Sequence, residues 1–254
     1  MSENQHHSNP GLDSERLSRR SSLVRFGGLV AGALAAGAWR AAEASPASSG
    51  PAAVASGLVS CVLTPELTEG PYYIANEKLR SNIREGKAGA LLLLHLSVID
   101  ASTCKAIRGA TVDIWHCDAG GIYSGFSAQS TGAPGGGGGQ PSDKLTFLRG
   151  IQKTSAKGVA TFQTIYPGWY RGRAVHIHVK VHLGGNVVHT GQLFFSDALT
   201  DAVYTKAPYD KRPARDTRNG NDSIYVNGGS KSVLAVHRNG SGYVAAVAMG
   251  VHRA

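Results

Sequence analysis

From residue 91 onward the apolar residues of this chain recur with a period of two, in short runs separated by turn-forming clusters. This alternation limits the fold more than any other feature. The runs are Leu91–Ile99, Ala110–His116, Gly158–Ile165, Ala174–Leu183, Val187–Phe195, Ser232–His237 and Gly242–Met249. Alternate side chains of a strand point to opposite faces, so each run offers one apolar face to a core. Asp100–Thr103, Gly184-Gly185-Asn186 and Asn239-Gly240-Ser241 supply the turns. No segment after residue 90 carries a 3.6-residue apolar stripe. Seven or more strands without intervening helices predict an all-β fold, an antiparallel β-sandwich. Upstream, Leu79 and Ile83 stand one helical turn apart, which predicts a short helix within residues 76–86.

Two long stretches interrupt the strands. Residues 124–146 contain the run Gly132–Gly139, and residues 198–231 are polar with Pro208 and Pro213. Long loops in a compact domain are functional or flexible, and these are expected to be active-site loops. The glycine run has neither a following helix nor a Gly-Lys-Ser/Thr ending, so it does not read as a phosphate cradle.

The 254 residues suit one globular domain with extra segments at the N-terminus. Ser18-Arg19-Arg20-Ser21-Ser22-Leu23-Val24, the apolar stretch Phe26–Ala38 and Ala42-Glu43-Ala44 predict a twin-arginine export signal over 1–44 with an A-x-A cleavage site. The apolar stretch is shorter than the ~20 residues that span a bilayer, so no stable membrane span is expected after cleavage. Residues 45–57 (SPASSGPAAVASG) read as a flexible linker, and the domain occupies 58–254. The destination is periplasmic or extracellular, and the folded-state route motivates a search for a cofactor. The net charge of +9 falls only to +8 on cleavage, with 21 basic and 13 acidic groups remaining. Lys and Arg are dispersed; the one dense stretch, Lys206–Arg218, also holds Asp210 and Asp216, so no nucleic-acid partner is expected.

The segment Tyr166–His182 carries the chemistry. In a strand, Val175, Ile177, Val179 and Val181 share one face while His176, His178, Lys180 and His182 share the other. Imidazoles at i and i+2 can converge on one ion, although histidines on a solvated strand face have the same spacing. No Cys lies near them and no Asp or Glu occurs between Asp143 and Asp197. A Cys-rich zinc site and a local two-His-one-carboxylate iron site therefore both lack their parts. Tyrosine is plentiful, and phenolate is a hard anionic donor suited to trivalent iron.

Several separated motifs, in order, resemble those of the intradiol ring-cleavage dioxygenases, which include the catechol and protocatechuate dioxygenases. They are Leu63–Tyr73 (LTPELTEGPYY), Asp113–Tyr123 (DIWHCDAGGIY), Gly158–Tyr170, Arg173–His178 (RAVHIH) and Gly191–Phe195 (GQLFF). The resemblance covers roughly residues 61–250 and is greatest to the exported, single-domain branch of the family.

The resemblance implies non-haem Fe(III) held by Tyr123, Tyr170, His176 and His178, with Tyr170 and His178 axial. It implies intradiol cleavage of a catechol-type aromatic by O2 to a muconate-type dicarboxylic acid, with no organic cofactor. Tyr170 would accept a catechol proton when displaced by substrate. Arg173 would lie against the substrate ring and stabilise the charge developing there, and Gln192 would stand near the substrate. Family members pack as dimers or larger assemblies, which implies a homo-oligomer. Neither His116 nor Cys117 is assigned to iron, and His182 lies beyond the motif. Three cysteines allow one disulfide and one free thiol; Cys61 with Cys104 is the expected pair, because Cys117 precedes the site at a strand end. Only six residues separate Tyr170 from His176, and Ala174-Val175 replaces a more usual Pro-Ala, so the pocket wall differs from many relatives. Catechol, protocatechuate, hydroxyquinol and larger plant-derived catechols all remain open as substrate. The rival reading is a non-catalytic exported β-sandwich that binds another metal or a ligand.

Overall fold

The computed structural model describes residues 62–128 and 140–253. The expected export signal, the linker, Cys61 and the run Gly132–Gly139 lie outside the described residues.

Among the described residues, eight strands form two four-stranded sheets. They are β1 (Leu91–Asp100), β2 (Thr111–Trp115), β3 (Arg149–Lys153), β4 (Val159–Ile165), β5 (His176–Leu183), β6 (Asn186–Phe194), β7 (Ala235–Asn239) and β8 (Gly242–Val251). The first sheet runs β4-β1-β8-β7 and the second β3-β2-β5-β6. All pairings are antiparallel except β1 with β8, which run parallel.

The alternation seen in the sequence is what closes the sandwich. Leu92, Leu94, Leu96 and Val98 of β1 point inward beside Ala160, Phe162, Ala245 and Met249. Val112, Ile114, Ile177, Val179, Val181 and Leu193 meet them from the second sheet. Each fully buried aliphatic side chain contributes roughly 1.5–3 kcal/mol relative to exposure.

Three local expectations need correction. Residues 76–86 form no helix. This arm runs along the rims of both sheets, where Arg80 N–H donates to the Ile151 carbonyl (3.0 Å) and Ile83 N–H to that of Gln163 (3.1 Å). Two edge strands thus satisfy the amides that a helix would have paired internally, and Leu79 is exposed while Ile83 is buried. Second, β3 was not expected: Arg-Gly-Ile-Gln-Lys contains one apolar residue, and only its pairing with β2 makes it a strand. Third, the final short strand begins at Ala235 rather than Ser232, because Gly229–Ser232 forms a tight 3₁₀ turn.

The 198–231 region contains two short helices, α1 (Asp197–Tyr204) and α2 (Ser223–Val226). Only Thr200 and Val203 of α1 are buried, too few to make a stripe legible in sequence. Among the described residues no helix is long and apolar enough to cross a membrane. Cys104 is disulfide-bonded and Cys117 is free and buried.

Candidate active site

The polar face of β5 is not solvated. His176, His178 and Lys180 are 2%, 1% and 6% exposed, so they are enclosed on the outer side of the second sheet, away from the sandwich core. The N-terminal arm and the long loops after β2, β4 and β6 cover them. Register sets the neighbours: His178 lies between Trp115 and Gln192, and Lys180 between Asp113 and Thr190.

Two loops bring tyrosines over these histidines. After β2 the chain turns sharply at Asp118, whose Oδ1 accepts the amides of Gly120 (2.9 Å) and Ile122 (3.0 Å). Lys87 pairs with the other carboxylate oxygen at 2.8 Å. The turn returns Tyr123 across the sheet, and Arg149 locks it by donating to the Ser124 carbonyl (2.7 Å) and hydroxyl (3.0 Å). The second loop, after β4, is sewn to the first at Gly168, whose amide donates to the Asp118 carbonyl (3.0 Å) and whose carbonyl accepts the Cys117 thiol (3.3 Å). A Cβ on Gly168 would stand 2.4 Å from the Ala119 carbonyl oxygen, so only glycine permits this approach.

The four side chains meet. The Tyr170 hydroxyl lies 3.1 Å from His176 Nε2, which is 3.0 Å from His178 Nε2. Ring centroids of Tyr123 are 5.6 Å from Tyr170 and 6.1 Å from His178. Trp115 stacks on His178 at 4.9 Å with a 7° interplanar angle. On the other edge of that ring, a Cβ on Gly70 would come within 2.9 Å of Cε1. Tyr72 stacks on Tyr123 at 4.5 Å and meets Tyr170 edge-on at 6.2 Å.

Electrostatics prepare this group for a cation. Burial holds both imidazoles well below the usual histidine range, with the Arg173 charge acting in the same direction, so their lone pairs are free at neutral pH. His176 Nδ1 donates to the Ala174 carbonyl at 2.6 Å, which fixes the tautomer and leaves Nε2 bare toward the site. Burial pushes the phenols of Tyr123 and Tyr170 upward, so they ionise only where a strong positive charge compensates. The protein's own hydrogen bonds leave the cluster undersatisfied. The single Nε2 lone pair of His176 faces both Tyr170 and His178, and His178 Nδ1 is buried without a hydrogen-bond partner. Two nitrogens about 2.1 Å from one ion and at right angles to each other stand about 3.0 Å apart, the spacing found here. Among the described residues no three His, Cys, Asp or Glu side chains form a ligand set, so an ion at this place depends on the phenols. Two hard phenolic donors with two imidazoles fit ferric iron better than a softer divalent metal.

Arg173 and Gln192 are adjacent to the cluster and to each other. The Arg173 guanidinium donates to Gln192 Oε1, and Gln192 Nε2 donates to the Thr68 carbonyl at 2.8 Å. His116 is elsewhere: its ring nitrogens contact the Cys117 carbonyl (2.8 Å) and Thr164 hydroxyl (2.7 Å), and burial lowers its pKa to about 4. His182 sits at the half-exposed end of β5.

Sequence reasoning missed the charged group behind His178. Lys180 pairs with Glu69 and lies 3.8 Å from the centre of the Tyr73 ring, Arg149 lies 3.8 Å from Glu77, and Asp113 is buried between these pairs. The polar side of the His-x-His-x-Lys alternation was the available signal, but its partners come from β2, β3 and the arm. Burial pushes the Asp113 carboxyl up to about 7, and the Glu77 charge adds to this; Tyr73, Arg149 and Lys180 oppose it. Because the folded-state value lies above the ordinary 3.8, this carboxyl's stability contribution is complete below pH 4 and is lost as pH rises through 7. Asp113→Asn is therefore expected to melt closer to the unaltered protein at pH 5 than at pH 8, where the variant gains. Melting curves at both pH values check this, and equal differences would contradict it.

No protein-family model matches the chain. Among solved structures, an intradiol ring-cleavage dioxygenase from Tetranychus urticae is similar at 37% identity and TM-score 0.70, over 76% of this chain and 95% of that one. The dioxygenase domain of a dioxygenase carbohydrate-binding protein fusion from Streptomyces sp. SirexAA-E is similar at 27% identity and TM-score 0.55, over 76% of this chain and 99% of that one. Catechol 1,2-dioxygenase 1 of Acinetobacter lwoffii is 31% identical over 113 residues, which are 42% of this chain. The matched part spans about a third (32%) of the length of that curated relative.

Proposed function

Since this chain belongs to the intradiol ring-cleavage dioxygenase family, we propose that it opens a catechol-type aromatic ring with O2 between the two hydroxyl-bearing carbons, giving a muconate-type dicarboxylic acid. Both oxygen atoms end in the product, so the reaction balances without an external reductant. The observation that carries this reading is the enclosure of Tyr123, Tyr170, His176 and His178 in one cluster whose hydrogen bonding is incomplete. These four would hold the non-haem Fe(III). Bound there, ferric iron supplies a Lewis acid that ionises the catechol and draws electron density from its ring.

The chain's own groups do the rest. Tyr170 is the proton acceptor: burial keeps its phenol neutral in the bare cluster, and once ionised beside the bound cation its phenolate oxygen would take a catechol proton as the substrate enters and become the neutral phenol again. Trp115 holds the His178 ring by its face and the Gly70 backbone by its Cε1 edge. Tyr72, Phe126 and Trp115 exclude water around Tyr123. Arg173 directs its guanidinium toward charge that develops on the ring, and Gln192 keeps it in place.

The test is oxygen uptake by ferric-loaded protein across a panel of catechols, with product identification. A burgundy tyrosinate colour and ring-opened dicarboxylic acids are expected; colourless, inert protein after ferric loading would favour the non-catalytic reading. Arg173→Ala is expected to retain iron and colour while turnover falls about 10²–10³-fold. Full activity in that variant would remove Arg173 from the reaction. Export by the twin-arginine route belongs to the same proposal and rests on Ser18–Val24 and the Ala42–Ala44 cleavage pattern. Cell fractionation with Arg19→Lys/Arg20→Lys as the blocked control checks it.

A further inference from the structure

Asp222 lies in the polar connection after β6, remote in sequence from every motif, yet it is 1% exposed and touches the site turn directly. Its Oδ2 accepts the Arg173 Nε–H at 3.0 Å and the Ala174 N–H at 2.7 Å. Its Oδ1 accepts the amides of Ile224 (2.8 Å) and Tyr225 (3.2 Å), capping α2. One carboxylate thus joins three objects: the guanidinium, the residue that leads into β5, and a helix. Tyr225 of that helix meets Phe194 edge-on at 5.2 Å, and Phe194 lies 5.9 Å from His176. Two further contacts brace the same turn from this connection, since Arg212 donates to the Trp169 carbonyl (2.5 Å) and Asp216 accepts the Gly172 amide (3.2 Å).

We propose that Asp222 is a positioning residue that sets the direction of the Arg173 guanidinium. This rests on the reading of Arg173 given above. Among the described residues Arg173 has two side-chain hydrogen-bond partners, and they differ in kind. Gln192 is a neutral amide held by the Thr68 carbonyl, whereas Asp222 supplies a charged acceptor at Nε, the root of the fork. A charge-assisted bond at that root restricts rotation of the whole group. The terminal nitrogens are then aimed along the sheet face rather than sampling the loop space around them. The capping bonds on Oδ1 hold the carboxylate itself still, so the orientation passes from α2 through Asp222 to Arg173.

Asp222→Asn tests this with little change of shape. Asn caps helices as well as Asp, so Oδ1 keeps Ile224 and Tyr225, but its Nδ2–H2 faces the N–H groups of Arg173 and Ala174 as donor against donor. Turnover is expected to fall about 10²-fold, approaching the loss in Arg173→Ala, with KM and the tyrosinate band little changed. The double variant is expected to be no slower than Arg173→Ala alone. Asp222→Ser, which also caps α2 but is too short to reach Arg173, is expected to behave like Asp222→Asn and guards against a folding failure in either variant. In metal-free protein labelled with 15N-arginine, the slow-exchanging Arg173 Nε–H resonance, identified by its loss in Arg173→Lys, is expected to vanish in Asp222→Asn. Persistence of that resonance, turnover within about twofold of the unaltered protein, or losses that add in the double variant would each overturn the proposal. Absence of turnover in the unaltered protein would instead sink the proposed reaction, and the resonance would still decide the role of Asp222.

Discussion

Replacing His178 by alanine is expected to abolish both the tyrosinate colour and oxygen uptake, leaving turnover at background. Its ring is buried and closely packed. Trp115 covers one face, the Gly70 backbone abuts its edge, and Nε2 stands 3.0 Å from that of His176. Its cross-strand neighbours are Trp115 and Gln192, whose indole and amide nitrogens have no basic lone pair to replace the imidazole. The fold is expected to survive, since the sandwich core is built by the opposite face of β5 through Ile177, Val179 and Val181. Iron analysis, the visible spectrum and a melting curve of the metal-free variant separate loss of the site from loss of the fold. Retained colour and turnover would show that His178 is not a ligand.

The largest stability effect is expected at Arg149, a fully buried arginine on β3. It holds the Ser124 carbonyl and hydroxyl, faces Glu77 at 3.8 Å and lies over the Phe126 ring at 5.6 Å. Arg149→Ala strands a carboxylate that burial already pushes above the usual glutamate range, and it releases the loop that carries Tyr123. Removing one partner of a buried pair costs about 3–5 kcal/mol. For a domain of this size that lowers the melting temperature by on the order of 10 °C. Calorimetry of the metal-free variant checks it; a shift of only a degree or two would mean that the pair is dispensable. Ferric loading is expected to recover part of the loss, because an ion that binds only the folded state stabilises it by mass action.

These two residues also mark the border of what a sequence can disclose. His178 was visible because a two-residue period is local: once β5 is a strand, His176 and His178 must share a face. The same local rule made most strands readable, since Leu92, Leu94, Leu96 and Val98 announce their inward face without knowledge of what they touch. Arg149 was invisible, because Arg-Gly-Ile-Gln-Lys has no such pattern and becomes a strand only through pairing with β2. The arm at 76–86 was misread for the same reason: Leu79 and Ile83 have helical spacing, but sheet edges elsewhere in the chain supplied better partners for the backbone. Asp222, forty-six residues beyond His176, gave no local sign of contact with Arg173.

The amino-acid sequence by itself determined every strand but β3, the face of β5 on which His176 and His178 stand and the ordered motifs that mark the family. Those depend on period, composition and order, all of which are properties of a short stretch of chain. Only the tertiary structure decided that the polar face of β5 is enclosed rather than solvated, and which groups enclose it. Burial by distant loops turns four ordinary side chains into neutral donors facing one another, and that desolvation exists only once the loops have closed over the sheet.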